Sequence, residues 1–151
     1  MRREPGLRER ALRLLARREH SCAELARKLR AHLQPGDDLE ILLEDLSRRK
    51  LLSDERYAES RAHALSRKFG ASRVAHELRA RGVGKELASA ASGAVRESEV
   101  ERARAVWRRK FRAPAESREE RARQMRFLQG RGFSFDAIRA VIGRKYGDDP
   151  E

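Results

Sequence analysis

The sequence predicts an all-α protein built as three tandem three-helix repeats in an elongated, curved array, and three observations carry that expectation. Charged residues make up 40% of the 151-residue chain and aromatics only 5%. In such a mix the helix formers Leu, Ala, Arg and Glu outnumber β-branched and aromatic strand formers. Apolar residues recur at helical rather than alternating spacing. The pattern also repeats at an offset of 49 or 50 residues.

Leu7, Ala11, Leu14 and Leu15 share one helical face, which stops near Arg18. Ser21 with Glu24 has the spacing of a capping box, in which each side chain satisfies a backbone N–H left open at a helix start. Leu25, Leu29 and Leu33 then line a second helix, broken by Pro35-Gly36. Asp37 or Asp38 can cap a third helix with the stripe Leu39, Leu42, Leu43 and Leu46, which ends around Arg49 and Lys50, where positive charge suits the carbonyl end. Ser53 caps a fourth, carried by Tyr57, Arg61, Ala64 and Leu65 to about Lys68.

Val74, Ala75 and Leu78 define a fifth helix ending at Gly82, and Leu87, Ala88, Ala91 and Val95 a sixth; glycine past a helix end accepts the left-handed conformation at little cost. Ser98 with Glu101 opens the seventh, whose stripe is Val100, Ala103, Trp107 and Phe111 and which Pro114 ends. Ser117 with Glu120 opens the eighth, with Ala122, Met125 and Leu128. Ser134 caps the ninth, with Phe135, Ile138, Val141, Ile142 and Tyr146. Trp107, Phe127 and Phe135 are expected at core positions.

An offset of 50 places Tyr57 on Trp107, Leu78 on Leu128, Arg81-Gly82-Val83 on Arg131-Gly132-Phe133, and Ala91 on Val141. The expected units are residues 1–52, 53–95 and 96–147, followed by a frayed acidic tail, 148–151. A unit of this size buries little apolar surface alone, so stacking against its neighbour is the expected source of stability. The competing arrangement is one compact bundle whose helix–Gly–helix turns merely look alike.

The formal net charge is +12, spread along the chain rather than gathered in a tail, and it points to a polyanionic partner. One cysteine, Cys22, excludes a disulfide framework or a thiolate zinc site. The segment Met1 to Gly6 precedes no apolar run, and no stretch approaches the roughly 18 apolar residues of a membrane span. A cytoplasmic protein is expected, with no membrane partner. His20, His32, His63 and His76 include no zinc-binding pair and read as surface or boundary residues. Phosphate-loop, dinucleotide and nucleophile-elbow motifs are absent, so neither an enzyme nor a cofactor is expected. Cys22, beside a capping serine, reads as a small helix-face residue.

What remains is binding surface. Arg67, Lys68 and Arg73 bracket Phe69-Gly70, Arg79 and Arg81 flank the next turn, and Arg108, Arg109, Lys110 and Arg112 surround Phe111. With Arg126 and Arg131 these form a candidate stripe that meets phosphates or carboxylates at intervals.

Four stretches resemble the RecX family, in its order. They are Glu19-His20-Ser21-Cys22-Ala23-Glu24-Leu25 through Leu29, then Leu51-Leu52-Ser53-Asp54-Glu55-Arg56-Tyr57-Ala58, then Ser66 to Gly70 with Glu77-Leu78 and Arg81-Gly82-Val83, and last Arg126 to Phe133 with Ile138. Two turns depart from the pattern: Ala71 stands where the family commonly has Pro, and Lys110-Phe111-Arg112 lacks the usual aromatic–glycine step. The resemblance implies a non-enzymatic negative modulator of the recombinase RecA. Such a protein lodges in the groove of the RecA–DNA filament, inhibits recombinase and coprotease activity in DNA repair and the SOS response, and itself binds DNA. The partners implied are the RecA filament and single-stranded and double-stranded DNA, with a monomer as the expected state.

Two other readings compete. A stand-alone helix-turn-helix regulator needs a base-reading recognition helix, but the candidates begin Gly84-Lys85-Glu86 and Ser134-Phe135-Asp136, which are poor readers. An RNA-associated protein needs exposed aromatic platforms, which the sequence does not offer.

Overall fold

The computed structural model describes residues 2–143; the expected extension of the last helix to Tyr146 and the acidic tail lie outside them. Among the described residues there are nine helices and no strand. They are α1 (Leu7–Arg17), α2 (Cys22–Arg30), α3 (Leu39–Arg48), α4 (Asp54–Ser66), α5 (Ala71–Ala80), α6 (Lys85–Ala94), α7 (Glu99–Phe111), α8 (Arg118–Gly130) and α9 (Phe135–Ile142). Helix α2 stops three residues before Leu33, which is exposed rather than on its apolar face.

Most helix starts are set by the cap residues the sequence offers. The side-chain oxygens of Ser21, Asp38, Ser53, Ser117 and Ser134 accept the N–H of Glu24, Ile41, Arg56, Glu120 and Ala137, at 3.0 to 3.2 Å; such caps typically contribute about 1 kcal/mol each. The reciprocal half of the capping boxes goes elsewhere. Glu24 is held by Arg18 (2.8 Å) and Glu120 takes the N–H of Glu116 (2.8 Å). Ser98 makes no side-chain cap; its hydroxyl instead accepts from Arg102 Nε (3.0 Å).

Each group of three helices closes its own core. Leu7, Ala11, Leu25, Leu29, Leu42, Leu46 and Leu52 form the first (unit 1, α1–α3). Tyr57, Ala58, Leu65, Val74, Leu78, Val83 and Ala88 belong to the second (unit 2, α4–α6), and Ala103, Val106, Leu128, Phe133, Ala137 and Ile138 form the third (unit 3, α7–α9). All substantial helix packing lies within a unit. The three cores stay separate, so each unit closes its own apolar surface. Trp107 packs at the edge of the third core, its indole N–H on Gln124 Oε1 (2.9 Å). Phe135, expected inside, is 57% exposed with Arg139 stacked on its ring.

The units are linked by one joint used twice. At the first, the Ser21 hydroxyl donates to the Arg81 carbonyl (3.1 Å) and the Cys22 N–H to Asp54 Oδ1 (2.7 Å). At the second, the Gly70 N–H donates to the Arg131 carbonyl (2.9 Å) and the Ala71 N–H to Glu99 Oε1 (3.1 Å). In each case the start of one unit's second helix sits in the next unit's Gly turn and is gripped by the acidic first residue of that unit's first helix. Gly82 and Gly132 have φ of +87° and +82°. A Cβ there would lie 2.4 Å from Ala23 Cβ and 2.3 Å from Arg73 Cβ, so both the backbone conformation and the close approach require glycine. A head-to-tail contact repeated along a chain generates a string of units, which gives an all-α tandem array.

Candidate partner-binding surface

The second joint gathers much of the expected basic stripe. Arg102 on α7 reaches back across it and donates to the carbonyls of Ser66 and Phe69 (2.7 Å each) and to that of Val95, which satisfies the open ends of α4 and α6 and places positive charge where their dipoles favour it. Burial pushes this guanidinium below its usual range, against the pull of Glu99. By holding the Phe69 carbonyl, Arg102 fixes the turn that presents the Phe69 ring.

Around that ring the cations interleave with aromatics. Arg73 lies 5.0 Å and Arg131 5.6 Å from the centroid of Phe69. Arg131 also lies 5.1 Å from Phe127, as does Lys110 at 5.7 Å, and Phe111 meets Phe127 edge-on at 5.4 Å. Phe69 belongs to unit 2 and Phe127 to unit 3, so Arg131 ties the two. Each stacking contributes about 0.5–1 kcal/mol at a partly exposed site. More important for binding, a guanidinium stacked by its face keeps N–H groups at its edge in a fixed plane, ready for a phosphate or carboxylate fork.

The other expected residues are placed as follows. Arg67 and Lys68 are exposed in the turn leading into Phe69, and Arg108 and Arg109 are exposed on the last turn of α7 beside Lys110. Arg126 is exposed on α8, next to Phe127 in the chain. Arg79 and Arg81 are exposed at the first joint, one unit away, and do not join the ladder. The position there that corresponds to Phe69 is His20, which is 1% exposed. This corrects its reading as a surface or boundary residue: the ring is buried between the Arg18 carbonyl and the Lys28 ammonium.

Sequence reasoning missed Arg102 and Glu99, which act across the joint. Their only signal was position, in the first turn of a helix that follows a turn. Cys22 is half-buried, and burial together with Asp54 pushes its thiol up, which disfavours the reactive thiolate. Among the described residues no group of three His, Cys, Asp or Glu is placed to hold a metal ion, and no helix is long and apolar enough to cross a membrane.

The three RecX domain models match in order: the first three-helix domain over residues 8–45, the second over 53–91 and the third over 97–142. The chain belongs to the RecX family. This RecX-family chain is 45% identical over 137 residues to the regulatory protein RecX of Leptothrix cholodnii, covering 91% of this chain and 87% of that one. With the regulatory protein RecX of Herbaspirillum seropedicae it shares 43% identity over 146 residues, 97% and 95% of the two chains. A crystal structure of RecX from Lactobacillus salivarius has the same fold, with a TM-score of 0.75 at 21% identity over 90% of this chain and 92% of that one.

Proposed function

We propose that the chain is a negative modulator of the RecA recombinase that acts by binding and not by catalysis. Membership of the RecX family supports a regulator of RecA. The single observation that supports the manner of action is the basic and aromatic ladder across the second joint, from Arg73 through Phe69, Arg131 and Phe127 to Lys110. A string of units with its cations held at one joint suits a groove between repeating subunits, where one chain touches neighbouring protomers and the DNA they carry. Bound there, it disfavours subunit addition and the conformations needed for strand exchange and coprotease activity. No step in this reading transfers a group or needs a cofactor.

The test is RecA-catalysed strand exchange and single-strand-dependent ATP hydrolysis with the protein titrated in at fixed salt and excess DNA. Inhibition well below one molecule per RecA protomer is the expected result. The folded variant Arg67→Glu/Lys68→Glu/Arg73→Glu should need at least about tenfold more protein for half inhibition, a change of ~1.4 kcal/mol. Undiminished inhibition by that variant would remove the second joint from the contact. No inhibition by the parent protein, alongside salt-sensitive binding to bare DNA, would replace the reading with a DNA-binding regulator.

A further inference from the structure

We propose that the cleft between α1 and α2 is a separate site for a single strand of nucleic acid, held through its phosphodiester backbone. The cleft is about 370 Å³; α1 lines it with Arg10, Arg13 and Arg17, α2 contributes Lys28, and Leu14 and Leu29 lie among them. The three arginines stand at i, i+3 and i+7, on one face of α1 in steps of about 5 Å along the helix axis. Cations from two helices therefore converge on one concavity, whose low-dielectric wall strengthens their joint field.

Little of this charge is compensated. Among the described residues Arg10 and Arg17 make no ion pair, and the Arg13–Glu9 pair (2.8 Å) has both side chains more than half exposed, where such pairs contribute little. Glu24 stands 4.0 Å from Lys28 but is held by both nitrogens of the Arg18 fork at 2.8 Å. The apolar lining favours a strand over other polyanions. Leu14, only partly buried at the cleft while Leu29 is closed into the core beneath it, offers an apolar surface to a sugar or an unstacked base, which a single strand can turn inward and a duplex cannot.

The site lies in unit 1, beyond the first joint from the ladder of units 2 and 3. One chain thus carries two cationic faces, one able to hold a strand while the other engages a second surface.

The experiment is fluorescence anisotropy of a labelled thymidine oligonucleotide with the full chain, across a salt series and with no recombinase present, so that its outcome is independent of the RecA reading. The variant Arg10→Gln/Arg13→Gln/Arg17→Gln should weaken binding at least tenfold. It should also flatten the dependence of log affinity on log salt by about 2, as expected when three phosphate contacts are lost from a single strand. The double variant Arg13→Gln/Arg17→Gln, confined to exposed positions, should show a smaller loss in the same direction and answers the question if the triple variant does not fold. Unchanged affinity and salt slope in a folded variant would overturn the proposal. So would a duplex of equal length that binds as tightly through the same arginines, or polyglutamate that displaces the strand at equal charge concentration.

Discussion

His20 is buried beside two cationic side chains, Arg18 and Lys28. Its Nδ1 meets the Arg18 carbonyl at 3.1 Å and its Nε2 the Lys28 ammonium at 3.0 Å. An ammonium only donates, so Nε2 accepts, Nδ1 carries the hydrogen, and the ring is neutral. Burial is the main reason its pKa is lowered. The charges of Arg18 and Lys28 act the same way, and the Arg18 carbonyl and Glu24 oppose them. Between the lowered folded value and the ordinary 6.5 the unfolded chain binds more protons, so stability falls as pH drops through that window and the loss stops below it. Glu24 and Asp45, held low by Arg18 and by Arg48, Arg8 and Arg49 respectively, lose their contribution only below the ordinary carboxylate range and leave this window clear. The urea midpoint of the parent protein should fall between pH 7.5 and 5.5, and that of His20→Gln should fall less. Equal changes in the two would show that His20 is not the titrating group.

At the scale of the element, helix ends divide into those set locally and those set by a neighbour. Ser53, Ser117 and Ser134 cap their helices as read, because a cap needs only the next three residues. Ser98 does not: its backbone (φ −97°, ψ 9°) lacks the extended conformation of a cap, and its hydroxyl accepts from Arg102, which is itself drawn across the joint to the carbonyls of Ser66 and Phe69. The same division decides the three Schellman turns. Lys50, Gly82 and Gly132 each occupy the left-handed position, and the following residue donates to the carbonyls of Leu46, Leu78 and Leu128. At Lys50 the left-handed backbone costs roughly 1–2 kcal/mol, and glycine in its place would lose about 0.5–1 kcal/mol of chain entropy. Lys50→Gly should therefore raise stability by roughly 0.5 kcal/mol. Gly132→Ala carries the same backbone cost and also drives a methyl into Arg73, so it should lower stability by about 1–3 kcal/mol. It should also open the second joint, seen as a larger radius of gyration by small-angle scattering. Thermal melts that move the two variants in the same direction would contradict the distinction.

For the whole molecule, the repeat was legible because the Arg-Gly-apolar turn and its flanking leucines recur, yet the source of its stability was not. Periodicity shows which residues are buried, not whether neighbouring clusters merge. Here they remain separate, and the joints between them are backbone hydrogen bonds, two carboxylates and stacked arginines. Such a chain approximates a row of units with nearest-neighbour coupling. Under the proposed action in a filament groove, such coupling would let the string adjust its joints without breaking a core, which a single compact bundle cannot do. Leu128 is fully buried in the third core, and Leu128→Ala should remove about 2–5 kcal/mol from that unit. Native-state hydrogen exchange should then show faster exchange throughout α7–α9, a smaller change in α4–α6 where the second joint weakens, and unaltered protection in α1–α3. Uniform acceleration across all three units would mean that they unfold as one body, and the proposed action along a filament would have to rest on a rigid shape rather than on jointed units.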